Sequence, residues 1–179
     1  LWYYVRTWGL RVTDLMQGPV YGIFSDETLK DERLKTLFSY DELFGTVINR
    51  FIVQAVVGYP LTVYGKGGQT RGYLNIRDTL NCVRLAIENP ADHGELKIFN
   101  QFTETFSVNQ IADKIYSAGG KIGIDVQIRN IENPRIEKED HYYNPAHIGL
   151  LELGLVPHFL TENVLIEMME YVKKHKQCI

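Results

Sequence analysis

The chain is predicted to fold as α/β or α+β, with short strands interleaved among helices. Three observations lead there. Alternating apolar runs of strand length recur at Leu10–Leu15, Leu61–Tyr64, Tyr73–Ile76, Glu95–Phe102 and Ile124–Ile131, each bounded by Gly, Pro or Asn. Between them lie longer stretches whose apolar residues return at helical spacing. The 179 residues are 45% hydrophobic and 23% charged, enough apolar material for a sizeable core. The strands in a row are too few for a complete doubly wound sheet.

Leu1 to Trp8 reads as the last turns of a helix, which Gly9 closes from the position after the cap. The chain is therefore expected to begin in mid-fold, and Lys173 to Ile179 stops without a terminating element. The strand from Leu10 to Leu15 empties into the breakers Gly18, Pro19 and Gly22, a common ligand edge of an α/β sheet. Residues 25 to 44 are charged and irregular, and are expected to run over the surface as a partner or lid element. From Thr46 to Val57 the apolar residues surround most of a helix, which predicts burial, and Gly58 and Pro60 stop it.

The strand Leu61–Tyr64 leads into Gly65-Lys66-Gly67-Gly68-Gln69-Thr70-Arg71-Gly72 and a second strand, Tyr73–Ile76, so a hairpin-like pair is expected around a glycine loop. A helix follows over about Asp78–Glu88, then the strand Glu95–Phe102. Ser107-Val108-Asn109-Gln110 is a capping box that opens a helix ending at Gly119-Gly120. Ile124–Ile131 alternates until Asn133-Pro134 breaks it. A short helix near Pro145–Leu153 is closed by Gly154, and a longer one after Thr161 carries Met168 and Met169 as core packing.

Composition excludes several classes of partner. A net charge of -3 without long single-sign runs gives no footprint for nucleic acid or an anionic membrane. No apolar run approaches the roughly 20 residues of a membrane span, and no signal peptide opens the chain, so a cytoplasmic location is expected. Cys82 and Cys178 belong to no metal or redox spacing and read as a buried thiol and a tail thiol. His141 and His147 lie six apart across a proline, poor geometry for a shared metal, and no metal site is expected.

The glycine loop is the first candidate for ligand chemistry, because its glycines admit close backbone approach while Lys66 and Arg71 supply positive charge. It is not a P-loop, and a turn that merely needs positive φ explains the glycines equally. Arg135 precedes Glu137, Glu139 and Asp140 and the group His141-Tyr142-Tyr143-Asn144; it either joins Arg71 on one diphosphate or neutralises its acidic neighbours. No Gly-x-Ser-x-Gly elbow or paired-cysteine site appears.

Taken together, Thr13-Asp14-Leu15-Met16-Gln17-Gly18-Pro19-Val20-Tyr21-Gly22, Phe44-Gly45-Thr46-Val47-Ile48-Asn49-Arg50-Phe51, the run Leu61 to Tyr73, Asn100-Gln101-Phe102, and Asn133 through Asn144 resemble the UDP-sulfoquinovose synthases in order and spacing. These are extended short-chain dehydrogenases acting on nucleotide sugars. The resemblance covers nearly the whole chain and implies its carboxyl-terminal portion: the end of a Rossmann-type sheet, with residues 1–24 continuing an NAD-binding domain, plus a small α/β substrate-binding domain.

The implied reaction takes UDP-glucose and sulfite to UDP-sulfoquinovose with bound NAD. Carried over by position, Gln17, Gly18, Pro19 and Val20 border the nicotinamide and sugar. Val47, Ile48 and Asn49 touch the nucleotide sugar, and Thr62, Val63 and Tyr64 touch uracil, largely through backbone. Gln69 belongs to the substrate loop, Arg71 and Arg135 clamp the diphosphate, and Tyr142, Tyr143 and Asn144 form a further turn near UDP. The glycine-rich fingerprint, the catalytic Thr or Ser and the Tyr-x-x-x-Lys dyad of such enzymes are absent, so no catalytic residue is expected here and the 179 residues alone are expected to be inactive. Met16 stands where plant-like members carry Asn. A homodimer is implied, and plastid stroma if the source is photosynthetic and eukaryotic. The alternatives are another epimerase or dehydratase of nucleotide sugars, or a non-catalytic domain binding a nucleotide sugar or a protein partner.

Overall fold

Short strands find partners far away in sequence, and this decides the architecture. The computed structural model describes residues 1–35, 37–41, 44–133 and 143–179. Helix α1, Trp2–Trp8, is closed by Gly9 in the left-handed region, φ 61, where a Cβ would also collide with the His93 ring. Strand β1, Val12–Gln17, starts two residues later than the alternation suggests and runs on to Gln17. It lies parallel to β5, Leu96–Gln101, in register from Val12 against Leu96 to Gln17 against Gln101.

A second sheet holds β2, Val20–Tyr21, parallel to β4, Thr70–Asn75, with β6, Glu104–Ser107, antiparallel on the other side. A third pairs β3, Leu61–Tyr64, in parallel with β7, Ile128–Ile131. The expected hairpin around the glycine loop is therefore not formed. β3 takes β7 as its partner and β4 sits between β2 and β6, so the loop passes from one sheet to another. Alternation tells which way a strand's side chains face, not which strand it pairs with.

The charged excursion after Tyr21 contains regular structure that its composition did not announce: α2, Asp26–Lys30, opens on a reciprocal Ser25/Thr28 capping box, and a 3₁₀ turn follows at Glu32–Leu34. Helix α3, Val47–Val57, is capped by Thr46, whose hydroxyl accepts the Asn49 N–H, and ends at Gly58 with φ 83. Its Ile48, Phe51, Ile52, Val53 and Val56 are buried, as the pattern predicts. Helix α4, Ile76–Glu88, is capped by Asn75.

Helix α5, Val108–Lys121, opens on the expected Ser107/Gln110 capping box but runs through Gly119-Gly120. Gly119 is there for close packing, since a Cβ would lie 2.5 Å from Val126 Cγ2. The same packing shortens β7, as Val126 turns into the core ahead of the strand. Helix α6, Gly149–Glu152, and α7, Glu162–Lys174, complete the chain, with Thr161 capping α7.

The main core is built from α3, α5 and α7 around β3, and includes Met168 and Met169, confirming the methionine pair as packing. Each fully buried aliphatic or aromatic side chain there contributes about 1.5–3 kcal/mol. A smaller cluster of Cys82, Leu85, Leu150 and Leu155 lies with Leu15 and Phe99. Cys82 is a buried free thiol and Cys178 an exposed one. Among the described residues no helix is long and apolar enough to cross a membrane, and no cluster of potential metal ligands occurs.

Candidate functional site

The glycine loop is fastened along its whole length. Gln69 Nε2 donates to the Tyr64 carbonyl at 3.4 Å, Asn130 Nδ2 to Gly65 at 2.8 Å and Asn109 Nδ2 to Lys66 at 2.9 Å. The Asn109 N–H donates to the Gly67 carbonyl at 3.1 Å, the Thr70 hydroxyl to Gly68 at 3.3 Å and the Val108 N–H to Gln69 at 3.3 Å. Every carbonyl from Tyr64 to Gln69 is thus engaged by the protein. Gly65 and Gly67 hold φ of 60° and 73°, and a Cβ on Gly67 would strike Asn109 Oδ1. Positive φ accounts for two of the loop's glycines, and the fastening presents Lys66 and Arg71 from a fixed frame.

Gly72 serves a different need. A Cβ there would meet the Phe102 ring at 2.5 Å, and one on Gly18 would meet the Gly72 carbonyl at 2.5 Å. The Gly18 N–H bonds the Gln101 carbonyl at 3.0 Å, and the Leu74 N–H bonds the Pro19 carbonyl at 3.1 Å. Small residues and backbone bonds therefore hold the Gln17–Val20 loop flat against the strand that carries Arg71. Gln17 itself is exposed at the end of β1.

Phe102 also receives Tyr143 and His147, with ring centroids 6.0 and 4.5 Å away. The Asn100 side chain fixes that segment by donating to the Ala146 carbonyl at 2.7 Å. Burial pushes the Tyr73 hydroxyl above the usual tyrosine range; the Arg71 charge opposes that shift and Tyr143 adds to it. Arg71, Tyr73 and Tyr143 are therefore electrostatic neighbours, and Asn144 follows directly in the chain. Arg135 and Tyr142, with His141, lie outside the described residues.

The start of α3 and strand β3 form the adjoining wall. Ile48 and Val63 are buried in the core, so their side chains are closed to a ligand and only backbone atoms there could meet one. Thr62 is already engaged: Gln54 accepts its N–H at 3.0 Å and donates to its hydroxyl at 2.8 Å, while Arg50 donates to its carbonyl at 3.1 Å. The Arg50 guanidinium lies 4.2 Å from the centre of the Tyr64 ring. Asn49 donates from Nδ2 to the Ser39 carbonyl at 3.1 Å, and Asn49 and Val20 line one cavity of about 250 Å³ together with Thr46, Ser39 and Phe38. Val47 is half-buried in the same first turn.

Two acceptors in this band, Asn49 Oδ1 and Gln69 Oε1, are buried with no hydrogen-bond partner among the described residues. Such an atom costs about 1–3 kcal/mol unless a donor reaches it. The band as a whole offers cations, unsatisfied acceptors and aromatic faces, which suits an anionic ligand with a planar donor-bearing part. Among the described residues it shows no nucleophile hydrogen-bonded to a general base.

The structure also brings forward residues that pattern reading passed over. Arg50 lay inside a quoted motif without being singled out; a cation in the first turn of a buried helix was the available signal. Asp78, fully buried, accepts the His158 backbone N–H at 2.8 Å and faces its ring Nδ1 at 2.6 Å. No sequence spacing joins residues eighty positions apart.

No family model matches the chain. It is 54% identical over 171 residues to the chloroplastic UDP-sulfoquinovose synthase of Spinacia oleracea, covering 96% of this chain and 36% of that protein. It is 48% identical over 157 residues to the UDP-sulfoquinovose synthase of Sulfolobus acidocaldarius, covering 88% and 40% respectively. The chain thus spans little more than a third of the length of these relatives. In fold it is similar to a UDP-glucose 4-epimerase from Thermotoga maritima solved with UDP-glucose, with a TM-score of 0.71 at 22% identity, over 97% of this chain and 50% of that one. About half of its residues being identical to each of two such relatives across nearly all its length, the chain belongs to the UDP-sulfoquinovose synthase family.

Proposed function

We propose that this chain is the UDP-sugar-binding, carboxyl-terminal part of an NAD-dependent enzyme that converts UDP-glucose and sulfite to UDP-sulfoquinovose. The observation that carries the reading is the single band formed by the fastened glycine loop, Arg71, Tyr64, Asn49 and the Gln17–Val20 loop. Arg71 clamps the diphosphate together with Arg135. Uracil lies along β3, where the Thr62 backbone is already engaged and Tyr64 offers its ring and backbone. Asn49 Oδ1 and Gln69 Oε1 accept from hydroxyl or N–H groups of the nucleotide sugar, with Val47 and Ile48 contributing first-turn amides. Tyr142, Tyr143 and Asn144 form the turn over UDP.

Gln17, Gly18, Pro19 and Val20 are the residues of this chain that would border the nicotinamide, with Gly18 packed closely on the Gly72 carbonyl of β4. Bound NAD would supply a hydride acceptor and donor. The chain's own part is to orient the sugar nucleotide and exclude water from it. Residues 1–24 continue the NAD-binding domain, and the groups that move protons lie elsewhere in the enzyme, so the 179 residues bind without turnover. The same resemblance implies a homodimer, which sedimentation measures.

Titration calorimetry with UDP tests the reading. A charge-assisted bond is worth about 1.5–3 kcal/mol, so Arg71→Ala and Arg135→Ala should each weaken binding by roughly tenfold to a hundredfold. Equal affinity in all three proteins would remove the diphosphate clamp. Product analysis of the enzyme with and without sulfite separates sulfoquinovose formation from epimerisation.

A further inference from the structure

Behind the ligand band, a polar network joins three elements distant in sequence. The Tyr21 hydroxyl lies 2.9 Å from Glu104 Oε2 and 3.0 Å from the His158 carbonyl, and its one proton goes preferentially to the carboxylate. The same Oε2 accepts the Leu160 N–H at 2.7 Å. From the other side, Asp78 takes the His158 N–H and ring Nδ1. Two carboxylates, one at the head of β6 and one in the first turn of α4, thus hold the strap that precedes α7. Tyr21, 1% exposed, is bound into the same knot.

Such a network is an expensive way to hold a strap. Apolar packing of equal volume would serve stability as well or better. What the network adds is position, since one placement of the strap satisfies all these donors together. Tyr21 follows Val20 directly, and the pair runs parallel to Leu74 and Asn75. Wherever the knot holds Tyr21, the loop's end is held too.

We propose that Glu104 is a positioning residue, which through Tyr21 sets how the Gln17–Val20 loop meets the sugar end of the ligand. This rests on the reading of that loop given above. UDP itself is held by β3, Arg71 and the glycine loop, so the effect of Glu104 falls on the sugar and not on the nucleotide.

The test is calorimetry of UDP and of UDP-glucose against the chain and its Tyr21→Phe, Glu104→Ala and Glu104→Gln variants, each checked for folding by circular dichroism. UDP affinity should stay within about twofold. The advantage of UDP-glucose over UDP should fall about fivefold in Tyr21→Phe and Glu104→Ala, as expected for one lost hydrogen bond, and less in Glu104→Gln, which keeps an acceptor oxygen. An unchanged advantage in folded Tyr21→Phe, even with a lower melting temperature, overturns the positioning role alone. Failure of the parent chain to bind either ligand overturns the nucleotide-sugar reading and this inference with it.

Discussion

Adding one methyl group at Gly72 should unseat Phe102. The new carbon would sit 2.5 Å from Phe102 Cγ and 2.7 and 2.9 Å from its Cδ atoms, against roughly 3.5–4.0 Å for ordinary carbon contacts. Cγ is the root of the ring, so swinging the tip brings no relief and the side chain must leave its rotamer. Phe102 is 4% exposed and packed on Gly18 and His147, so there is nowhere convenient to go. Gly72 does not have positive φ, which makes the cost steric and not conformational. Overpacking of this kind costs about 1–3 kcal/mol, or roughly 2–12 °C of melting temperature for a chain of this size. Urea and thermal melts followed by circular dichroism measure it. Gly120→Ala in α5, with nothing within 4 Å of its added Cβ and no positive φ, should instead stabilise by up to about 1 kcal/mol. The double change Gly72→Ala with Phe102→Leu should recover part of the loss, because the two sites are in contact. A Gly72→Ala protein that melts within about a degree of the parent, or that loses equally with and without Phe102→Leu, would refute the steric account.

Ser107→Ala removes the hydroxyl that accepts the Gln110 N–H at 3.2 Å and should cost about 1 kcal/mol in a urea melt. Met168→Ala, at a site 1% exposed between three helices, should cost about 2–5 kcal/mol; a loss below 1 kcal/mol would mean that the helices close over the gap. Thiol titration of the native chain should label Cys178 and leave Cys82 unlabelled until the chain unfolds. Burial pushes the Cys82 thiol from 9.0 up to about 11, so the folded state keeps a proton that the unfolded state releases. That contribution is whole below pH 9 and is lost as pH rises toward 11, amounting to about 2–3 kcal/mol. Parent and Cys82→Ala proteins should therefore part company on the alkaline limb, and superimposable limbs would sink the assignment.

The elements themselves were largely legible because each carries a local signal. Gly9 and Gly58 stop helices by backbone conformation, Ser107 and Gln110 announce a helix start, and the girdle of Ile48, Phe51, Ile52 and Val56 announces burial. Strand pairing was not legible, because β3 and β4 alternate in the same way whether they pair with each other or with β7, β2 and β6. Gly119 misled for a related reason: a glycine ends a helix or lets another segment close in, and only Val126, packed against it, distinguishes the two. Motif resemblance named the residues proposed to face the ligand, whereas Glu104 and Asp78 bond the backbone of a strap far along the chain and leave no spacing to read.

The fastening of every carbonyl from Tyr64 to Gln69 bears on how a ligand would be received. A stretch with three glycines among four residues is, by composition, among the most mobile a chain can contain. Here no peptide unit can turn over without breaking a bond to Asn130, Asn109, Thr70, Val108 or Gln69. The ordering entropy has already been spent in folding, and a ligand that arrives loses little more to set the loop in place. If the loop holds the nucleotide sugar as proposed, Asn109 and Asn130, which touch no proposed ligand, act on affinity through the loop's order, and loosening either would weaken binding through entropy with the contact surface unchanged.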